Sequence, residues 1–366
     1  VHRFDLRRAP LLRLVHSPDP ASGRLEATLL FHHLVMDHVA LELLRSELQA
    51  CLLGEVQSLP APVPYRNYIA QVLRSGDDAE AFFTEQLADI DEPTLAYGGY
   101  SRPHLDALSD HHQRLDDALS ARVREQARLH AVSAASLMHP AWAQVLGQLS
   151  GRDSVVFGTV LLGRLQGGAG AERALGMFIN TLPLRVSAGG AAVADGVRLT
   201  HQRLARLLAH EQASLALAQR CSGVAPGQAL FTSLLNVRHS AAPKAALSDA
   251  WRGIEQVAAI ERSNYPLVVN VDDTGDGFTL TVQAVPQVDA AQVSHLLSLA
   301  LAPLAEAPHP APAPPLWQLR QFFARHPEPA LAHFYPTSRD YPATPPLHQP
   351  FAAPAPHAPH APPARS

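Results

Sequence analysis

The stretch "FHHLVMDH", Phe31 to His38, places three histidines and one aspartate within eight residues. Such a set can ligate a metal, carry out acid–base catalysis, or simply form the polar end of a strand. The spacing weighs against a metal. If a strand continues through Phe31–Leu34, neighbouring side chains point to opposite faces, so His32 and His33 cannot both line one cavity. The pattern HHxxxDH also lacks the same-helix i, i+4 histidine pair of a HExxH zinc site. Asp37 stands directly before an amphipathic helix, where a carboxylate caps free N–H groups and faces the favourable end of the dipole. On residue chemistry alone two readings stay open: a strand, loop and helix with no catalysis, or a site in which one histidine reaches a substrate and the other braces the wall.

The surrounding elements are those of a layered α/β protein. "RLEATLLF" has strand composition, and in "DHVALELLRSELQACLLG" the residues Leu41, Leu44, Leu48, Cys51 and Leu52 follow helical spacing, with Gly54 as the stop. "SAASLMHPAWAQVLGQLSG" predicts a helix capped by Ser133, ended near Gly151 and kinked at Pro140. Strand candidates follow in "SVVFGTV", "MFINTLPLRV", "LFTSLLNV", "PLVVNV" and "FTLTVQAV". A long helix is expected from about Ala194 to Gln219, a hairpin turn at "DDTGDG", and a closing helix in "DAAQVSHLLSLALAPLA". Strands interleaved with long helices point to α/β layers and not to a bundle or sandwich.

Composition changes near Pro303. Eighteen of the 32 prolines lie from there to Ser366, which predicts an extended linker and a tail without packed structure. His357 and His360 belong to that tail and are read as solvated. A net charge of −4 gives no electrostatic case for nucleic acid or an anionic membrane. Two cysteines, Cys51 and Cys221, make no disulfide framework, and no run of about 18 apolar residues is present to span a bilayer. These features predict a reduced, cytoplasmic protein. There is no GxSxG elbow and no GxxxxGK[ST] loop; the glycines of "RLQGGAGAERALG" match neither nucleotide fingerprint and predict a mobile loop. His111, His112, His201 and His210 lie in polar or helical settings and are read as solvated.

The phrase "FHHLVMDH" resembles the HHxxxDG signature of condensation domains of non-ribosomal peptide synthetases. "FDLRRAPLLR", "PYRNYIAQ", "SVVFGTVLLGR", "LGMFINTLPLRV", "HEQASLALAQRCSGV", "LFTSLLNVRHS" and "ERSNYPLVVNV" are similar to further motifs of that family, in its order, from Val1 to about Glu306. "FYPTSRDYPATPPLHQPFAA" resembles the linker and first residues of an adenylation domain. Two departures stand out. The family's RHExLRT segment would precede Val1, so the chain reads as a fragment with an incomplete first lobe. His38 replaces the Gly of the motif, which narrows the acceptor channel or adds a hydrogen bond.

The resemblance implies two chloramphenicol-acetyltransferase-like lobes, at residues 1–95 and 96–306, with the site in the channel between them. A Pro-rich linker (307–345) and the start of an adenylation domain or a disordered tail (346–366) follow. The implied reaction is amide-bond formation between two carrier-tethered thioesters. His33 is set against the attacking amine, as base or as orienting group, while His32 and Asp37 hold the loop. Asp37 is expected to pair with an arginine, with Arg185 the candidate. Asn180 either donates to the oxyanion or serves as a satisfied bridge. No cofactor is bound directly. The implied partners are the donor and acceptor carrier domains with their phosphopantetheine arms, and the adjacent adenylation domain. A catalytically incompetent remnant and a dual condensation/epimerisation domain are the alternatives.

Overall fold

The computed structural model describes residues 4–73, 77–98, 108–187, 192–239 and 253–306. The chain divides at Gln321, and every described residue lies in the first unit, Val1–Gln321. The Pro-rich linker, the adenylation-like stretch, His357 and His360 lie outside the described residues.

The first unit opens with an antiparallel hairpin, β1 (Leu12–Pro18) and β2 (Leu25–Phe31), in register from Leu12↔Phe31 to Pro18↔Leu25. Three helices follow: α1 (His38–Leu52), α2 (Arg66–Val72) and α3 (Asp77–Leu87). A second, six-stranded sheet is built from β3 (Ser109–Arg114), β4 (Ser154–Leu161), β5 (Asn180–Ser187), β6 (Ser233–His239), β7 (Leu267–Asp273) and β8 (Phe278–Ala284). Its order is β3-β8-β7-β6-β4-β5, with β4–β6 and β6–β7 parallel and the other pairs antiparallel. The mixed α/β architecture expected from the sequence is thus present. Parallel neighbours need long crossovers, and the first of these carries helices α6 (Val193–Ala209) and α7 (Leu215–Arg220).

The core lies between this sheet and helices α4 (Asp117–Leu129), α5 (Ala135–Ser150) and α8 (Ala290–Leu304). In α5 every residue from Ser136 to Gly147 is buried, because α6 and α8 cover the faces that the sheet does not. Such a helix needs an apolar surface all round, and "LMHPAWAQVL" supplies it. Its histidine is satisfied locally. His139 bonds the Ala135 carbonyl at 2.7 Å through Nδ1 and Thr159 Oγ1 of β4 at 2.7 Å through Nε2. The β7–β8 turn closes with Thr274 N donating to the Gly277 carbonyl at 3.0 Å.

Several local expectations change. The long helix after β5 is two helices, broken at His210–Ser214, where Ser214 accepts from Leu217 N as a fresh N-cap and Glu211 turns wholly inward. The N-cap of α5 is Ala134, and Ser133 bonds the Ser136 hydroxyl at 3.1 Å instead. His111 and His112 sit on β3, His112 with its ring 3.0 Å from Thr281 Oγ1. His201 meets the Ser136 hydroxyl at 3.0 Å, and His210 stacks on Phe82.

Candidate active site

The FHHLVMDH stretch is a strand end, a turn and a helix start. Strand β2 stops at Phe31, and the chain then turns, with Val35 N donating to the His32 carbonyl at 3.0 Å. The premise that the strand runs on to Leu34 therefore fails; a turn, not strand alternation, separates the two imidazoles. His32 Nδ1 accepts from Leu34 N at 3.1 Å, so this ring closes the turn. His33 packs edge-on against Phe31 and keeps 42% of its side chain exposed.

Asp37 is wholly buried and caps α1, accepting from Ala40 N at 2.8 Å. Its other carboxylate oxygen accepts from Phe178 N at 3.0 Å, and its own N–H donates to the Gly176 carbonyl at 3.3 Å. One carboxylate thus ties the start of α1 to the chain entering β5. Its ion-pair partner is Arg164, at 2.8 Å, and not Arg185. Arg185 grips Asp89 with both terminal nitrogens at 2.6 and 2.9 Å, and bonds Ser154 Oγ and the Gln86 carbonyl. The strand register explains the difference. Asn180 pairs with Leu161 and Arg185 with Val156, so Arg185 lies five residues farther along β5; at the rise of an extended strand that is about 17 Å. Arg164, three residues past the end of β4, emerges beside the first residues of β5.

The glycine-rich run expected to be a mobile loop is the mount for this arginine. Arg164 donates to the Ala171 and Ala174 carbonyls at 2.6 and 3.0 Å and lies 4.0 Å over the Phe178 ring. Tyr65 and Tyr68 of the "PYRNYIAQ" motif pack on Phe178, and the Tyr65 hydroxyl donates to the Met177 carbonyl. Gly163 takes a left-handed φ of +68°, and a Cβ there would stand 1.8 Å from the Phe178 carbonyl oxygen. The loop is held from the other side by Glu211, whose carboxylate accepts from Gly163 N at 3.1 Å and Gln166 N at 2.6 Å. Burial pushes the Glu211 pKa up, opposed by those N–H donors. Asn180 uses both amide protons on the Glu211 and Ala213 carbonyls, at 2.8 and 2.6 Å. Asn180 thereby links these two carbonyls to the start of β5.

What faces His33 is an acid. Glu261 Oε1 lies 3.2 Å from His33 Nε2, and Glu261 Oε2 lies 3.8 Å from Arg238 on β6. Arg238 in turn holds Asp272 of β7 at 2.8 and 3.1 Å. The hydrogen bond with Glu261 raises the pKa of His33 above the ordinary imidazole value, against the lowering by burial; the Glu261 charge, the Met36 backbone and the Asp37 charge add to the rise. His33 in return keeps the Glu261 carboxylate below its usual range. His38, the first residue of α1, goes the other way, because burial favours its neutral form. Among the described residues no group of three or more His, Cys, Asp or Glu is arranged to hold a metal ion.

The fold thus gathers His33, Asp37 and His38 with Glu261, Arg164 and Arg238, uses His32 to close the turn, and places Asn180 and Arg185 in the supporting frame. Arg164, Glu211, Arg238 and Glu261 stand at this site or in its frame without having been expected there from the sequence. All four stand in quoted motifs: Arg164 ends "SVVFGTVLLGR", Arg238 lies in "LFTSLLNVRHS", and Glu211 and Glu261 sit at the head of theirs. For the two arginines, a charged residue toward the end of an apolar strand motif was the available signal.

The Condensation domain family model matches residues 1–295, and the chain belongs to that family. It is 42% identical over 355 residues to malpibaldin synthetase of Mortierella alpina, a match that covers 96% of this chain and 6% of that protein. It is 43% identical over 354 residues to malpinin synthetase of the same organism, covering 96% and 4%. The chain therefore spans only a small part of these relatives. Among solved structures, the first condensation domain of the calcium-dependent antibiotic synthetase, in complex with a substrate analogue, superposes with a TM-score of 0.62 at 20% identity. That match covers 84% of this chain and 69% of that one. The shared fold is the chloramphenicol-acetyltransferase-like fold of condensation domains.

Proposed function

We propose that this chain forms an amide bond between a donor acyl thioester and the amine of an acceptor aminoacyl thioester. Both are carried on the phosphopantetheine arms of peptidyl carrier domains, within a non-ribosomal peptide synthetase. The amine nitrogen attacks the thioester carbonyl, a C–N bond forms, the C–S bond breaks, and the proton lost by the amine ends on the departing thiolate. The observation that carries this reading is His33. It is a part-exposed imidazole on a turn whose next residues, through Asp37 and Arg164, are locked to the second sheet. His33 takes the amine proton and returns it to the sulfur. General acid–base help of this kind is worth about 10²–10⁴ in rate. Holding two tethered reactants together can supply effective molarities of about 10⁵ M or more, so positioning carries the larger share for an already activated thioester.

The lobes are assigned as 1–95 and 96–306, since β1 and β2 form one sheet and the six strands from β3 onward another. The adenylation-like stretch in residues 334–353 supports an adenylation domain as the neighbour downstream of a linker at 307–345. No described helix is long and apolar enough to cross a membrane. The test is to supply donor- and acceptor-loaded carrier proteins to the chain and look for dipeptidyl-carrier by mass spectrometry. Product from the wild type and a loss of about 10²–10⁴ in His33→Ala are expected. Absence of product in the wild type overturns the reaction, and unchanged turnover in His33→Ala overturns the role of His33.

A further inference from the structure

Glu261 lies on an exposed segment, yet its backbone is fastened to the sheet. The Gln283 side chain of β8 donates to the Glu261 carbonyl at 3.0 Å and accepts from Ser263 N at 2.9 Å. The next residue, Arg262, reaches Asp110 of β3 at 2.6 Å. Gln283 also donates to Asp110 at 3.0 Å, so β3, β8 and the segment before β7 are joined at this point. From that anchor the Glu261 carboxylate spans His33 on one side and Arg238 on the other. By contrast Glu255, earlier on the same segment, has among the described residues only the exposed Arg24 as an ion-pair partner, at 3.6 Å.

We propose that Glu261 is a positioning residue of the condensation reaction: an anchored carboxylate that orients the His33 ring and pairs with its cation when the acceptor amine gives up a proton. The proposal rests on the amide-forming reading of the site. Other groups contribute to the field. Asp37, from the start of α1, faces His33; Arg238 of β6 and His38 of α1 face Glu261; Asp37, Arg164 and Arg238 face His38. Of these, Glu261 alone makes a side-chain contact with the His33 ring nitrogen among the described residues. An anion fixed there favours the imidazolium over the imidazole. Neutralising it makes His33 a weaker base and moves its titration to lower pH.

The experiment is a titration of the His33 Cε1–H signal in the full chain labelled on histidine, with the signal identified by its loss in His33→Asn. In Glu261→Gln the His33 midpoint shifts to lower pH, Glu261→Asp recovers part of the shift, and Glu255→Gln leaves the midpoint where it was. With loaded carriers, the acid limb of the turnover profile of Glu261→Gln moves to lower pH in the same sense. A His33 midpoint unmoved by Glu261→Gln, or moved equally by Glu255→Gln, overturns the proposal. If the titration shifts as stated but the wild type forms no dipeptidyl product, the pairing stands and the reaction assigned to the site falls.

Discussion

Replacing Arg164 by Met removes a guanidinium whose side chain is only 8% exposed, and leaves a wholly buried carboxylate behind it. Asp37 then keeps its bonds from Ala40 N and Phe178 N but loses the Arg164 countercharge, its ion-pair partner among the described residues, and the Ala171 and Ala174 carbonyls lose their donor. Met retains part of the packing on Phe178. Breaking one side of a buried pair costs about 3–5 kcal/mol, and that is the destabilisation expected for Arg164→Met. Arg185→Met is the comparison. Its partner Asp89 is 65% exposed, and pairs of that kind are worth about 0–1 kcal/mol. Urea unfolding of the chain, followed by tryptophan fluorescence and far-ultraviolet circular dichroism, measures both. A double-mutant cycle sharpens the contrast. Asp37→Asn with Arg164→Met should show a coupling of about 1–3 kcal/mol, and Asp37→Asn with Arg185→Met should add to within about 0.5 kcal/mol. Equal costs for the two arginines, or strict additivity in the first cycle, would refute the assignment of Arg164 as the brace.

Three other outcomes follow from the same geometry. Burial holds the pKa of His139 down to about 4, so the folded state keeps this ring neutral while the unfolded chain protonates it near pH 6.5; the associated stability is complete above pH 6.5 and lost as pH falls toward 4, on the order of 3 kcal/mol in all. Urea midpoints between pH 7 and pH 4.5 check this, and His139→Gln should flatten that part of the dependence. Gly163→Ala forces a left-handed residue, worth about 1–3 kcal/mol of strain alone, and drives Cβ into the Phe178 carbonyl; the same unfolding assay should show a loss larger than that strain. Asn180→Ala strips the Glu211 and Ala213 carbonyls of their donor, an expected cost of about 1–3 kcal/mol in stability. A drop in turnover of about 10²–10³ at unchanged stability would instead assign Asn180 to the oxyanion.

Much of the frame was legible because it depends on neighbours in sequence. The apolar alternation of "PLVVNV" and "FTLTVQAV", with Asp and Gly between them, specifies a hairpin wherever it lies, and Asp37 before a helical repeat specifies a cap. Gly54 and Gly151 end their helices with positive φ, as a residue without Cβ can. The break at His210–Ser214 was not legible, since helix propensity there is ordinary and the interruption exists to turn the Glu211 carboxylate inward. The glycine run likewise reads as slack chain until Arg164 and Glu211 are seen to hold it.

The order of motifs and the HHxxxD turn are properties of the sequence itself, because local chemistry decides where a strand stops, a turn closes and a helix is capped. Which arginine meets Asp37, and which acid meets His33, are decided only by the tertiary structure. Arg164 and Arg185 are equivalent in type, one just past β4 and the other within β5; the register of β4 against β5 brings the first to the carboxylate and sends the second to Asp89. Glu261 lies 228 residues from His33. No periodicity spans that distance, so their contact comes into being when β6, β7 and β8 assemble beside the turn.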